Sequence, residues 1–329
     1  MDNILIIGGA GYIGSHMCKY LKRLNYIPVV LDNFIYGHKQ AVKWGQFYEG
    51  SMADGGLLDL VFKEHDIKAV MHFAAFCYVG ESVTEPAKYY ANNVVNTHHL
   101  LEGMRRNGIG TIIFSSTCAT YGEPTEIPIT ESHPQNPVNP YGRTKLMVEH
   151  MLKDYSNAYG FKYALLRYFN ASGADPEGEI GEDHRPETHL IPLVIDAALG
   201  LRGKLMVFGD NYNTHDGTCI RDYIHINDLA AAHVLAMEKL FEDENACIFN
   251  LGNGKGYSVM EVIDSVSRIT GKSVPFQITE RRAGDPAVLV GSAEKAIREL
   301  KWKPEFNDLD AIVKTAYQWR INHPDGYAE

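Results

Sequence analysis

Between Asn139 and His150 the sequence reads NPYGRTKLMVEH. Asn139 suits a helix N-cap and Pro140 the first helical position. Tyr141 and Lys145 then fall one turn apart on the same face. A phenol beside an ammonium is a pairing for proton transfer. A free Tyr ionises near pH 10 or so, and a base near neutrality needs about 4 kcal/mol of preferential stabilisation of the phenolate. Lys145 supplies one cation. A second has to come from elsewhere.

The N-terminus, MDNILIIGGAGYIGSHMCKYL, offers a source. Gly8, Gly11 and Gly14 follow an apolar run and open a helical pattern. Glycines there let backbone amides approach a pyrophosphate, and a helix N-terminus favours its charge. The second apolar run, VVLDN, ends in Asp32, 18 residues beyond Gly14, where a ribose-binding acid is expected. A carboxylate accepts ribose hydroxyls and repels a 2′-phosphate, and Asn33, Phe34 and Ile35 follow it rather than Arg. NAD is favoured over NADP. Oxidised NAD carries a positive nicotinamide ring, so the ring and Lys145 together could pull Tyr141 toward neutrality.

These residues need a scaffold. NILIIGG, IPVVLDN, AVMHFAA, TIIFSST and YALLRYFN read as buried parallel strands. Helical periodicity fills the gaps, in SHMCKYLKRL, LLDLVFKEH, NVVNTHHLLEGMRRN and the Tyr141 segment. The alternation predicts an α/β fold with a Rossmann-type doubly wound parallel sheet. After Asn170 the texture turns polar and rich in Gly and Pro. Residues 1–170, with returning segments near 222–252, are expected to form the dinucleotide-binding domain. Residues 171–221 and 253–329 are expected to form a smaller C-terminal α/β lobe.

The bulk numbers narrow the partners. The chain has 329 residues, is 45% hydrophobic and carries a formal charge of −10. No basic run or tail is present, which argues against nucleic acid and anionic membranes as partners. Cys18, Cys77, Cys118, Cys219 and Cys247 are scattered without a CxxC, which reads as reduced thiols in a cytoplasm. No basic n-region with a signal-length apolar run is found, and no run reaches membrane-spanning length. Asn170-Ala171-Ser172 matches a glycosylation sequon by chance. Cys118 has no charged neighbour in sequence to activate it. His98 and His99 are adjacent on a helix and point apart. His184 and His189 flank Glu187 without the spacing of a helical metal motif, so no metal is expected.

The glycine turn, Asp32, a Ser/Thr at a strand end and YxxxK together resemble the extended short-chain dehydrogenase/reductase family. Within it, HFAAFCYVGESVTEPAKYYANNV, FSSTCATYG, NPYGRTKLMVEHML, LLRYFNASGADP, GEDHRPETHLIP, DGTCIRDYIHINDLA, FNLGNGKGYSV and RRAGDP resemble the UDP-glucose 4-epimerases, block by block over the whole chain. The resemblance implies reversible C4 epimerisation of UDP-glucose and UDP-galactose through a 4-keto sugar, with hydride passed to and returned from bound NAD. It implies Tyr141 as base, Lys145 as its partner and Thr117 as a hydroxyl that bonds the same sugar oxygen. It implies NAD contacts at Gly8, Gly11, Tyr12, Ile13, Gly14, Asp32, Asn33, Ser51, Met52, Phe73, Ala74, Ala75, Asn92, Ser115, Tyr141, Lys145 and Phe169. It implies UDP-sugar contacts at Thr117, Asn170, His189, Leu190, Val207, Arg221, Arg282 and Asp285, which makes the C-terminal lobe a UDP-sugar-binding one. Two guanidinium forks, Arg221 and Arg282, suit a diphosphate on an acidic protein. A homodimer through the helices at 92–106 and 140–156 is implied as well.

The chain departs from the family pattern at four places. Cys77 stands where many members have Lys, and Ser51-Met52 where many have an acidic-hydrophobic pair near the adenine. His189 stands where some have Asn. Leu289 holds the position associated with admitting or excluding N-acetylated sugars, and its bulk favours the unacetylated pair. A 4,6-dehydratase would need an acid pair after Thr117, where Cys118 and Ala119 stand. A UDP-pentose or UDP-uronate epimerase, or a non-catalytic NAD-binding regulator, remains open on sequence.

Overall fold

The computed structural model describes residues 1–242, 244–282 and 285–328. Strands β1 (Asn3–Ile7), β2 (Ile27–Asp32), β3 (Gln46–Glu49), β4 (Ile67–His72), β5 (Thr111–Thr117) and β6 (Lys162–Tyr168) build most of the central sheet. Further along the chain lie β7 (Asn170–Ser172), β8 (Leu205–Phe208), β9 (Ile220–Arg221), β10 (Tyr223–His225), β11 (Ala246–Leu251), β12 (Tyr257–Ser258), β13 (Phe276–Thr279) and β14 (Val288–Leu289). The main sheet has seven strands in the order β11-β6-β5-β4-β1-β2-β3, all pairs parallel. It is the doubly wound sheet expected. The order reverses between β1 and β4, and the crevice beyond their carboxyl ends is where such sheets bind ligands.

Alternation along β1 serves both faces. Ile4 and Ile6 pack with Met17, Leu21, Leu229 and Met237 on one side. Leu5 and Ile7 pack with Leu58, Val61, Leu100, Met104, Val148 and Leu152 on the other. A third core, including Ile195, Val262, Val266, Ile312 and Val313, belongs to the C-terminal part of the chain. β9 pairs with β12 and β14, and β8 pairs with β13. The segment Ala246–Leu251 returns to the main sheet beside β6.

Two elements differ from the reading of the sequence. β3 is an edge strand of four residues, none of them buried, so it lacks the apolar run that marked the others. Thr117 therefore ends the fifth strand rather than the fourth. Residues 90–95 form a π-helical turn, Tyr90–Val95, which runs into the α-helix Asn96–Arg106. Such turns gather at functional sites, and no periodicity of 3.6 can show one. Among the described residues no helix is long and apolar enough to cross a membrane.

Candidate active site

The turn after β1 is shaped for close backbone approach. Gly8 has φ +84°, and a Cβ on it would sit 2.7 Å from the Ala74 nitrogen. A Cβ on Gly14 would sit 2.1 Å from the Gly8 carbonyl oxygen and 2.7 Å from the Gly9 Cα. Gly11 is the N-cap of the helix Tyr12–Arg23, and no side chain caps it. The amides of Tyr12, Ile13 and Gly14 thus open toward the crevice with no intrahelical acceptor. Asp32 Oδ2 accepts the Ala10 N–H at 2.9 Å and Oδ1 the Phe34 N–H at 2.8 Å. Burial raises the Asp32 carboxyl, and these amides hold it down. Gly50 donates to the Asp32 carbonyl at 2.9 Å, which sets Ser51 and the buried Met52 beside it. The Phe73 and Ala74 amides both donate to the Ile7 carbonyl, at 2.8 and 3.1 Å, which brings Ala75 to the same rim. A bare helix N-terminus, a glycine cradle and a ribose-height carboxylate fit a dinucleotide such as NAD.

A methyl group at Gly14 has only backbone to displace. Gly14→Ala is expected to cost at least about 1–3 kcal/mol of stability from overpacking. It should also reduce the NAD co-purifying with the chain to a small fraction of the wild-type amount, read by chromatography of the denatured supernatant. A native NAD content in this variant would show that the turn has room.

Asn139 starts the helix Pro140–Tyr159 as the spacing predicts, its Oδ1 accepting the Gly142 N–H at 2.8 Å. Tyr141 lies half-buried at the first turn, with Thr117 in hydrogen-bonding contact. Lys145 is buried and donates from Nζ to the Ser115 carbonyl at 2.7 Å. Its ammonium stands 5.9 Å from the Tyr141 ring centre and 4.8 Å from that of Phe114. The structure brings Tyr141, Thr117, Lys145 and Ser115 together. Burial lowers the Lys145 ammonium to about 8, against the opposing pull of Cys77 and Glu149, so it is still mostly charged at neutral pH. The phenol does not behave as expected from Lys145 alone. Burial first, then Cys77 and Tyr168, raise Tyr141 well above its ordinary value, and only the Thr117 bond lowers it. The lysine is committed to the strand carbonyl, so the phenol gains little from it before a positively charged group enters the cleft.

Several positioning residues were missed on sequence. Asn93, one along from Asn92, is buried, accepts the Phe76 N–H at 2.9 Å and donates to the Phe76 carbonyl at 3.0 Å. It ties the loop after β4 to the helix that carries Tyr141, through Thr144 Oγ1 at 3.2 Å. Its burial phase, shared with Thr97 four residues on, was the available signal. Glu149 continues the Tyr141–Lys145 face by one more turn and pairs with Arg167. Ser115 Oγ contacts the Tyr168 hydroxyl.

On the sugar side, Arg221 Nη2 pairs with Asp285 Oδ1. Arg282 lies 3.9 Å over the Phe208 ring. Both guanidiniums lower the Cys219 thiol, which burial otherwise raises, so they converge on one region. Arg221 also acts on Cys118, beside Thr117; burial pushes that thiol up to about 12, an unreactive state. Asn170 Nδ2 donates to the Asp222 carbonyl at 2.8 Å. Leu289 pairs in register with Arg221 and packs against the Tyr121–Phe169 cluster. Three expected contacts have side chains engaged within the fold. Val207 is fully buried in the C-terminal core, Phe169 is buried against Tyr121 and Ile129, and the Tyr12 hydroxyl is spent on the Gly173 carbonyl at 2.6 Å. Leu190 opens the helix Leu190–Leu199 and packs on the same C-terminal core. Burial lowers the preceding His189, but Glu182 and Glu187 overcome it and hold the imidazole protonated.

A family profile for the NAD dependent epimerase/dehydratase family matches residues 4–252. The chain is 53% identical over 325 residues to a UDP-glucose 4-epimerase of Halalkalibacterium halodurans, covering 99% of this chain and 97% of that one. Its fold superimposes on the UDP-glucose 4-epimerase of Brucella ovis solved with NAD, with a TM-score of 0.95, 52% identity and coverage of 100% and 99% of the two chains. A UDP-glucose 4-epimerase of Bifidobacterium longum, solved with NAD+ and UDP, matches at a TM-score of 0.94 and 38% identity, over 99% and 100% of the chains.

Proposed function

The chain belongs to the NAD dependent epimerase/dehydratase family, and from that premise we propose an NAD-dependent UDP-sugar 4-epimerase that interconverts UDP-glucose and UDP-galactose. The observation that carries this reading is the meeting of Tyr141, Thr117 and Lys145 at the carboxyl end of β5, with Arg221 near enough to act on the adjacent Cys118 and Arg282 sharing its action on Cys219. Bound NAD supplies a reversible hydride acceptor for the sugar C4. The chain's own groups do the rest. Tyr141 takes the proton of the 4-hydroxyl and later returns it to the same oxygen. Thr117, whose hydroxyl both donates and accepts, holds that oxygen in line. Lys145, fixed by the Ser115 carbonyl, stands 5.9 Å from the Tyr141 ring centre, and the positive charge that favours the phenolate is completed by the cofactor. The glycine turn and Asp32 hold the dinucleotide. Arg221 and Arg282 hold the diphosphate, Arg221 exchanging Asp285 for phosphate oxygens. The anchored nucleotide lets the 4-keto sugar turn over and accept the hydride on its other face.

Leu289, beside Arg221, supports a preference for unacetylated hexoses. Five free thiols support the cytoplasm, and the UDP-glucose–UDP-galactose pair supports a place in galactose metabolism. Val95 and Met147 are exposed apolar side chains, 50% and 44% accessible, on the two helices assigned to a homodimer. An unpaired apolar surface on helices of this kind supports that assembly.

Incubating the purified chain with UDP-galactose and no added cofactor should yield UDP-glucose. No product from either UDP-hexose, even with NAD supplied, would overturn the glucose–galactose assignment. Within an active enzyme, Thr117→Val removes one bond to the reacting oxygen. A fall in kcat of about 10–100-fold is expected, with KM little changed, from the loss of one charge-assisted hydrogen bond. A rise in KM at unchanged kcat would place Thr117 in binding alone.

A further inference from the structure

The segment from β7 to the helix Leu190–Leu199 gathers four side chains whose spacing in the sequence does not pair them. Glu182, His184, Glu187 and His189 each bring one ligand atom to a common point, all within 4.8 Å of one another. His184 Nδ1 lies 3.2 Å from Glu182 Oε1 and 3.5 Å from Glu187 Oε2. His189 Nδ1 lies 2.9 Å from Glu182 Oε1 and 2.9 Å from Glu187 Oε1. Two ligands bound to one ion at about 2.0–2.1 Å, at a tetrahedral angle, stand about 3.3 Å apart. The separations here bracket that value.

A second observation is independent of the clustering. The Glu182 side chain is 7% exposed, and nothing donates to its Oε1 with hydrogen-bond geometry. His184 Nδ1 is likewise buried without such a partner. Buried polar atoms of this kind are costly and rare unless a ligand or ion completes them. They lie next to each other and face one centre. His189 Nδ1 and Glu187 Oε1 share a well-aligned hydrogen bond at 2.9 Å, and the other contacts among the four are close ion pairs.

We infer that Glu182, His184, Glu187 and His189 form a binding site for a divalent transition-metal ion. Two imidazoles exclude a Ca2+ or Mg2+ preference, and two carboxylates disfavour Cu(I), which leaves Zn2+ as the best match to the donor set. The Tyr12 and Tyr78 rings lie edge-on to His184 at 6.1 and 6.5 Å and wall the site on two sides. The His189 side chain is 38% exposed and gives the ion a way in from solvent. The ion fastens the loop that carries His189, itself assigned to the sugar nucleotide. On sequence His184, Glu187 and His189 are expected to bind no metal because they do not form a helical metal motif; Glu182 joins them through the path of the loop.

The test uses the full chain without an affinity tag, stripped with a chelator and titrated with Zn2+ against a chromophoric competitor. Uptake of about one ion per chain is expected. Glu182→Gln keeps the side-chain shape and His184→Ala removes a ligand; each should weaken binding by more than the roughly 10–100-fold that loss of an outer-shell partner costs. Co2+ in the unaltered chain should give the visible absorption of a four-coordinate site. Absence of stoichiometric uptake would overturn the proposal and leave the four groups as a proton-linked ion quartet. Uptake unchanged by Glu182→Gln would overturn it too, by moving the ion to another cluster such as Asp175, Glu177 and Glu179.

Discussion

Tyr141→Phe is expected to fold, to keep its NAD and to lose about 10²–10⁴-fold in kcat, the range a positioned acid–base group contributes. Folding should survive because the ring alone fills the half-buried space, and the hydrogen bonds of the helix start do not use the phenol: Asn139 caps it and Thr144 Oγ1 bonds the Tyr141 carbonyl. NAD should stay because the glycine turn and Asp32 lie on other elements, and the Ser115–Lys145 link, one turn along the same helix, does not involve the phenol. Only the proton has nowhere to go. The present structure sharpens the expectation. Burial, Cys77 and Tyr168 all raise the phenol, so its activation depends on positive charge that arrives with the cofactor. Phe at 141 removes the step. A Phe variant turning over at a near-native rate would sink the base assignment.

How much of this was readable beforehand follows the range over which each signal acts. Gly8, Gly14 and Asp32 announce themselves because a strand, a turn and a helix lie within one short stretch, and each glycine answers a close backbone contact that the structure contains. Tyr141 and Lys145 are one turn apart, so local geometry alone sets them side by side. Thr117 needed the resemblance, since nothing near it in sequence points to the phenol it meets. Val207 lies in a strand of four apolar residues, Leu205–Phe208, whose sequence gives no phase from which to tell its two faces. Glu182, His184, Glu187 and His189 converge only through the path of an irregular loop. The same holds for Glu149 and Arg167, which are 18 residues apart and meet across a helix and a strand.

That buried pair carries the other large expectation. Glu149 takes Arg167 Nε at 2.9 Å and Nη2 at 2.6 Å, with Ser116 Oγ at 2.5 Å and Gln135 Nε2 at 3.0 Å. Both side chains are almost wholly out of water, at 3% and 4% exposure. Removing one partner of such a pair strands the other, and about 3–5 kcal/mol of stability is expected to go. Glu149→Gln isolates this cost with little change of volume, and urea unfolding measures it. Replacing both partners by Met should recover a large part, because the penalty belongs to the unpaired guanidinium and not to the absence of the bond. Activity should fall for a separate reason. Glu149 grips Ser116, which sits between Ser115, the anchor of Lys145, and Thr117. Its carboxylate also raises the ammonium of Lys145 against burial. Without it, Lys145 loses its proton at a lower pH, so the alkaline limb of kcat should move below that of the wild type. Glu149 is a positioning residue in this account. A Glu149→Gln enzyme that is destabilised yet keeps the wild-type pH profile would confine the pair to holding the fold.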